Sequence, residues 1–375
     1  MPCNTHIRKF VAQNFKHLLL LMTLIIGLPS CRCSENLSSV SQQNQPTKSQ
    51  IVNLAIWSNF IANKTLQRFE SQTGIKVQVT YYSTNEEVLA KIQAGATGYD
   101  VIVPSDYMVA TMSKLGLLEE LEKTKIPHIN NVDPTHMNRS FDRNNRYSLP
   151  YAWSYGGIAV NRAQYSDPVV TWADLFFNEK LKGRIGYTDD ARETLGNALK
   201  MLGFSLNSQN AEEIEAAKQA LVKSKIAYQA VISDDYDSLI RGDIAIAQFY
   251  SSDALQASKR AGGKIEFIIP KEGGSLSTEH LVILKTAPHR EEAYQLINFL
   301  LTAESNKELV GQTFAGPIIS GVSDQMATEL PEGRAIFPST EQLRSYEVLE
   351  DVGDFTAIYE QKWTEFKSSQ ESSSF

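Results

Sequence analysis

The sequence predicts an α/β protein built in two lobes, and three observations point that way. Between residues 51 and 104 the pattern runs strand, helix, strand, helix, strand, which is how a parallel sheet flanked by helices is written. The 375-residue chain, even without an N-terminal leader, exceeds the length at which one hydrophobic core stops growing. An apolar run over 149–160, with Gly156 and Gly157 inside it, reads as chain crossing from one lobe to the other, with the glycines as a hinge.

The elements follow in order. The first strand is Ile51–Trp57, ending at Trp57, Ser58, Asn59 and Phe60. Asn63 is placed to cap a helix that runs to about residue 72 and stops at Gly74. Residues 75–81 alternate apolar and polar side chains, the mark of a half-buried strand. A short amphipathic helix over 86–94 closes at Gly95, and a third strand over 99–104 ends at Ser105 and Tyr107. Beyond the crossover, 183–187 reads as a strand, 191–202 and 211–223 as helices and 244–250 as a strand. An apolar run at 266–270 then leads into a turn at Gly273 and Gly274. Ala293, Leu296, Ile297, Leu300 and Leu301 keep helical spacing inside one long helix over 291–309, and a last helix near 356–366 closes the fold. There is no internal repeat and no Gly-rich phosphate loop.

The ends read differently. His6, Arg8, Lys9 and Lys16 precede the apolar run 18–28, so residues 1–30 are read as a secretory signal. Leu28, Pro29, Ser30 and Cys31 fit a lipoprotein processing site, which would make Cys31 a lipidated N-terminus; ordinary cleavage without lipid is the alternative. The Ser/Gln/Asn-rich stretch 31–50 suits a flexible tether, and 371–375 a disordered tail.

Cys3, Cys31 and Cys33 all precede residue 51, which excludes thiol catalysis, disulfides and cysteine-held metals from the folded region. The six histidines are scattered without a His-x-x-x-His pair, so neither a metal nor a cofactor is expected. Removing the leader leaves 33 basic against 43 acidic side chains, a net charge of about −10. That balance argues against nucleic acid and is compatible with a cationic ligand.

Chemistry concentrates at 187–195, where Asp189, Asp190 and Glu193 stand at a strand-to-helix corner of the kind that holds ligands in α/β proteins. Two readings are open. The carboxylates could receive a cation, or Asp190 could cap the helix while Glu193 reaches back in a capping box. Aromatic residues and further carboxylates recur at other predicted strand ends, and one helix cap would not need them.

Many short runs taken together resemble one family. The runs are Trp57–Phe60, 73–77, 103–105, 171–175, 188–193, 241–243, 270–274, 296–301 and 351–353. In this order they resemble the polyamine-binding proteins of ABC importers, the spermidine/putrescine periplasmic binding family, over nearly all of 51–366. The resemblance implies a type II periplasmic-binding-protein fold, each lobe a mixed sheet flanked by helices, with the ligand in the cleft between lobes. The lobes would be 51–155 with 279–323, and 156–278 with 324–370. It further implies a monomer that is no enzyme, held outside the cytoplasm by its lipid and delivering polyamine to the permease subunits of the transporter.

The family's binding positions fall here on Trp57, Ser58, Asn59, Phe60, Ser105, Tyr107, Asp190, Glu193, Tyr250, Asp253, Ser277, Glu279 and Leu349. A linear polyamine needs spaced carboxylates with aromatic walls between them, and this set could supply both. There are departures. Asn59 replaces an acidic residue, Phe60 a tyrosine, Ser277 a large aromatic and Leu349 the glutamine of spermidine binders. Asp253 follows the putrescine type and Asp190 the spermidine type, so putrescine, spermidine, cadaverine and agmatine all stay open. Two competing readings are an exported hydrolase using Asp190 and Glu193, and a ferric-iron binder using Tyr81 and Tyr82, whose side chains as strand neighbours should point to opposite faces.

Overall fold

The computed structural model describes residues 50–58, 60–224, 228–232, 236–330, 337–339 and 341–371. The expected signal, the expected tether up to residue 49 with Cys31, Asn59 and the last four residues of the expected tail lie outside them.

The expected alternation opens the fold. Strand β1 (Ile51–Trp57) is followed by α1 (Asn63–Thr73), β2 (Lys76–Tyr82), α2 (Asn85–Gln93), β3 (Val101–Ile102) and α3 (Asp106–Lys114). β2 and β3 pair in parallel with β1 on either side, as strand-helix-strand connections require. Gly74 ends α1 in the left-handed region at φ 73°, which a residue without Cβ adopts freely. Asn63 does not cap that helix: extended Ala62 holds the position with no side-chain bond, and Asn63 is the first helical residue.

The crossover is one continuous 14-residue strand, β4 (Ser148–Asn161). Gly156 and Gly157 do not interrupt it; they lie where it changes partners. Up to Tyr155, β4 pairs with β9 (Ser275–Ile283), and from Gly156 onward with β7 (Ile246–Tyr250) and β8 (Ile265–Ile268). The reason for glycine is close packing. A Cβ on Gly157 would stand 2.5 Å from the Phe267 ring and 2.6 Å from the Ile268 carbonyl oxygen, and one on Gly156 would stand 2.8 Å from Ser275 Oγ.

The second half carries α4 (Trp172–Phe176), β5 (Ile185–Thr188), α5 (Ala191–Met201), α6 (Ala211–Lys223), β6 (Tyr228–Ile232), α7 (Asp237–Arg241) and, after β7, α8 (Ser251–Arg260). The chain then returns through β9 to the first half with α9 (Arg290–Leu300), α10 (Ala303–Thr313) and α11 (Val322–Glu329), and finishes with β10 (Glu347–Val348) and α12 (Phe355–Glu371). The sheet runs β2-β1-β3-β9-β4-β7-β5-β6, with β10 added beside β9 and β8 beside β4.

The single long helix expected over 291–309 is two. Thr302 takes extended geometry (φ −82°, ψ 149°), and its hydroxyl accepts the Ser305 N–H at 3.2 Å, so a side-chain cap replaces the helical bond and starts α10. Apolar spacing persists through the break because both helices lean on the same core of Leu296, Ile297, Leu300, Leu309 and Val310.

Two main cores result. Val52, Leu54, Phe69, Leu281 and Ile297 centre the first, and Trp172, Tyr187, Leu195, Ile214 and Tyr359 the second. A smaller cluster joins the halves, with Leu206 and Leu349 packed against Tyr107, Met108 and Met112 of α3.

Gly157→Ala should cost about 1–3 kcal/mol of stability, because Ile268 backbone cannot move aside without breaking its pairing with β4. A thermal or denaturant midpoint equal to that of the parent would show that β4 and β8 sit farther apart.

Candidate functional site

The ends of β1, β3, β5 and β7 converge with β4 and β9 on one cleft of about 850 Å³, its open mouth included. Strand termini leave backbone and side chains free to face a ligand, which is why α/β proteins place sites there. Trp57, Ser58, Phe60, Ser105, Tyr107 and Glu279 line it from the first half, and Asp190, Tyr250, Asp253 and Leu349 from the second. Ten of the sequence-expected positions are thus brought together; Asn59 lies outside the described residues.

Glu279 anchors the first half. It is 6% exposed, yet among the described residues no cation stands against it. Instead Trp57 Nε1–H donates to it at 2.7 Å, the Ser105 hydroxyl at 3.0 Å and the Ser277 hydroxyl at 2.9 Å. Burial pushes its carboxyl up to about 8, against which these three donors pull only part of the way. Behind it Asp106 is held by the Thr278 N–H (2.8 Å) and by His280 (2.9 Å), and its proximity raises Glu279 further.

In the second half the capping reading of the corner holds for Asp190 and fails for Glu193. Asp190 is the N-cap of α5, its Oδ1 accepting the N–H groups of Arg192 (2.9 Å) and Glu193 (3.0 Å), and it also lines the cleft. Glu193 closes no capping box. It is 2% exposed, and its oxygens accept the Tyr250 hydroxyl at 2.6 Å and the Ser275 hydroxyl at 2.7 Å. Its place is therefore behind Tyr250, fixing that ring, and burial followed by the nearby Asp190 lifts its carboxyl to about 7. Ser277 also stands one layer back, 3% exposed and turned to Glu279, rather than on the wall.

Several lining residues escaped the sequence reading. Ser252 and Ser154 are small polar residues without a motif, and Phe249 precedes Tyr250 on the same strand. Asp189, which the sequence reading did place at the corner, reaches the lining tied to Lys367 (2.9 Å) and to Trp363 Nε1 (3.0 Å). Glu86 is a further miss: at the start of α2 it accepts the Tyr107 hydroxyl at 2.9 Å, and burial, then Asp190 across the cleft, raises it to about 7. Its position after Thr84, a helix cap, made it look like an ordinary first-turn acid. The lining holds Asp189, Asp190, Asp253 and Glu279 and, among the described residues, no Lys, Arg or His. The nearby Arg192 guanidinium is engaged elsewhere, bonded to Asn207 and the Glu350 carbonyl and set between the rings of Tyr107 and Tyr359.

Such a cleft suits a cation with an apolar body. Buried carboxylates kept without a counter-ion favour a positively charged guest, and aromatic faces attract it by about 0.5–2 kcal/mol each. The paired-tyrosine alternative has no geometry to support it, because Tyr82 is 3% exposed while Tyr81 is 49% exposed on the opposite face of β2.

Comparison with known proteins agrees with this chemistry. Residues 64–335 match the model of the bacterial extracellular solute-binding protein family. The chain is 33% identical to the spermidine/putrescine-binding periplasmic protein of Salmonella typhimurium, over 94% of this chain and 98% of that one. It is 32% identical to a putrescine/cadaverine-binding protein of Pseudomonas aeruginosa, over 94% and 99%. Among solved structures it is similar to the spermidine/putrescine ABC transporter substrate-binding protein PotD of Streptococcus pneumoniae, with a TM-score of 0.71, 31% identity and coverage of 86% and 100%. The α/β solute-binding fold follows from these matches together with the sheet described above.

The raised carboxyls give the unliganded protein a pH signature. Glu279 near 8 and Glu86 and Glu193 near 7 keep protons that an unfolded chain releases at about 4.3. The folded state therefore binds more protons than the unfolded one between about pH 5 and 8, and stability should fall as pH rises through that window. Melting temperatures measured at pH 5.5 and 8 should show the drop, and Glu279→Gln should shrink it. An equal drop in the variant would remove Glu279 as a source.

Proposed function

The chain belongs to the bacterial extracellular solute-binding protein family, and from that premise we propose that it captures a polyamine, putrescine or spermidine, and hands it to the membrane permease of an ABC importer. It is a binding protein and not an enzyme. The observation that carries the ligand class is the cleft itself: Asp190, Asp253 and Glu279 reach it from both halves, with Trp57, Phe60, Tyr107 and Tyr250 around them and no basic side chain among the described lining residues.

A polyamine spaces ammonium groups along an apolar chain. Its nitrogens would meet the carboxylates while its methylenes lie against the rings, the same pairing of charge and wall that the lining offers. Arrival of an ammonium favours the charged carboxylate, so binding at neutral pH should release protons from Glu279 and its neighbours. Cadaverine and agmatine stay within reach of the same groups.

Capture works through closure. The proposed lobes are 51–155 with 279–323 and 156–278 with 324–370; the change of partners along β4 between Tyr155 and Gly156 supports that boundary. A ligand touching both lobes only when they are closed shifts the population toward the closed form by its differential affinity. The loaded monomer then offers a two-lobe surface to the permease subunits. Lipidation at Cys31, proposed from the processing-site pattern, would hold it on the outer side of the membrane, in the periplasm where there is one.

Isothermal titration of protein stripped by partial unfolding and refolding tests this with putrescine, spermidine, cadaverine and agmatine. Micromolar or tighter binding of putrescine or spermidine is expected, with proton release that varies with the buffer's ionisation enthalpy. Asp190→Asn should weaken it more than tenfold, since asparagine still caps α5 but brings no charge. Silence toward all four amines would remove the polyamine and leave the family.

A further inference from the structure

We propose that the Ser252 hydroxyl is a specificity-determining ligand contact, accepting an N–H from the amine nitrogen whose charge Asp253 meets. The inference rests on the polyamine reading of the same cleft and assigns a residue which that reading does not need.

Ser252 is 1% exposed, and its Oγ has no hydrogen-bond partner among the described residues. It lines the cleft beside Asp253 and Tyr250. Other hydroxyls in this part of the structure are engaged: Ser105 and Ser277 donate to Glu279, Ser275 donates to Glu193, and Ser251 accepts the Tyr155 N–H at 3.3 Å. Nor does Ser252 cap a helix, since Tyr250 holds the cap position of α8 and leaves Ser252 the second residue inside. A buried hydroxyl with neither a structural bond nor a cap to make costs free energy in the empty protein, and a ligand polar group is what would recover it.

The nitrogen's needs fit. An ammonium carries two or three N–H groups, and one carboxylate facing it from one side leaves at least one of them without an acceptor. Asp253 and Ser252 are consecutive in the first turn of α8, so the helix presents a charged and a neutral acceptor side by side. The neutral one reads N–H and not charge. It therefore favours a protonated amine over a quaternary nitrogen of equal charge that has no N–H.

Titration of the parent, Ser252→Ala, Asp253→Asn and the double variant with putrescine and spermidine tests the contact, alongside melting temperatures without ligand. Ser252→Ala should weaken binding about five- to tenfold. The double variant should lose less than the product of the two single losses, because both side chains serve one nitrogen. The unliganded melting temperature of Ser252→Ala should be unchanged or higher, since an unpaired hydroxyl has been removed. Affinity within twofold of the parent would overturn the proposal, and so would a loss of affinity matched by a lower unliganded melting temperature, which marks a purely structural role. If the parent binds neither amine, the polyamine reading fails and the contact falls with it, a result independent of any Ser252 variant.

Discussion

The structure depends on a carboxylate buried without a counter-ion among the described residues. Glu279 sits on β9 at the seam of the two halves, and three separate elements contribute to holding it: the end of β1 through Trp57, the start of α3 through Ser105, and its own strand through Ser277. Neutral donors can hold such a group in place but do not cancel the cost of its charge, which is why its carboxyl is pushed up to about 8. A site organised this way is costly when empty and relieved by a cation. Selectivity for charge sign follows from burial itself.

The surrounding residues fall into those that face the cleft and those that hold them. Tyr250 faces it and Glu193 holds Tyr250; Tyr107 faces it, and Glu86 accepts its hydroxyl while Asn85 donates to it. β9 serves both halves through alternate residues on one face, Ser275 reaching Glu193 and Ser277 reaching Glu279. This rigid backing matters for the proposed guest, because a flexible amine has little shape of its own, so precision must reside in the protein. Gly156 and Gly157 belong to the same backing, since any side chain there would push β4 away from Ser275 and Phe267.

Much of this was legible in the sequence, for definable reasons. Strand and helix alternation is a local property, and the elements over 51–102 and 185–223 stand within a few residues of where periodicity puts them, though the third strand shrinks to Val101–Ile102. Apolar spacing could not reveal the break at Thr302, because both helices bury the same stripe and a capping threonine leaves that stripe intact. The glycines looked like a hinge because local sequence shows their freedom but not the neighbours that exclude a Cβ. At the site, residues in recognisable runs were found, whereas Ser252 and Glu86 were not: an isolated serine or first-turn glutamate acquires its role only from what the fold packs around it. Glu193 shows the converse. Its run marked it as important, but only the coordinates place it behind Tyr250.

The contacts across the cleft oppose one another in a way that makes a cation decisive. Leu206 and Leu349 against α3, Arg192 at 5.5 Å from the Tyr107 ring, and the Lys114–Asp351 pair at 2.5 Å draw the halves together. The ion pair adds little, since Lys114 is largely exposed and such pairs contribute about 0–1 kcal/mol. Against them stands Glu86 on one side, its carboxyl raised by burial and then by the like charge of Asp190, with a smaller share from Glu360, on the other. Burial of apolar surface is indifferent to pH and to the guest, whereas the repulsion is not: a proton weakens it, and an ammonium between the carboxylates reverses its sign. On the proposed closure, the apolar contacts would set how nearly balanced the open and closed forms are, and the carboxylates what tips them. A neutral molecule of the same size would fill the volume yet leave the repulsion in place, so under the proposed closure discrimination against it would come from closure as much as from contact.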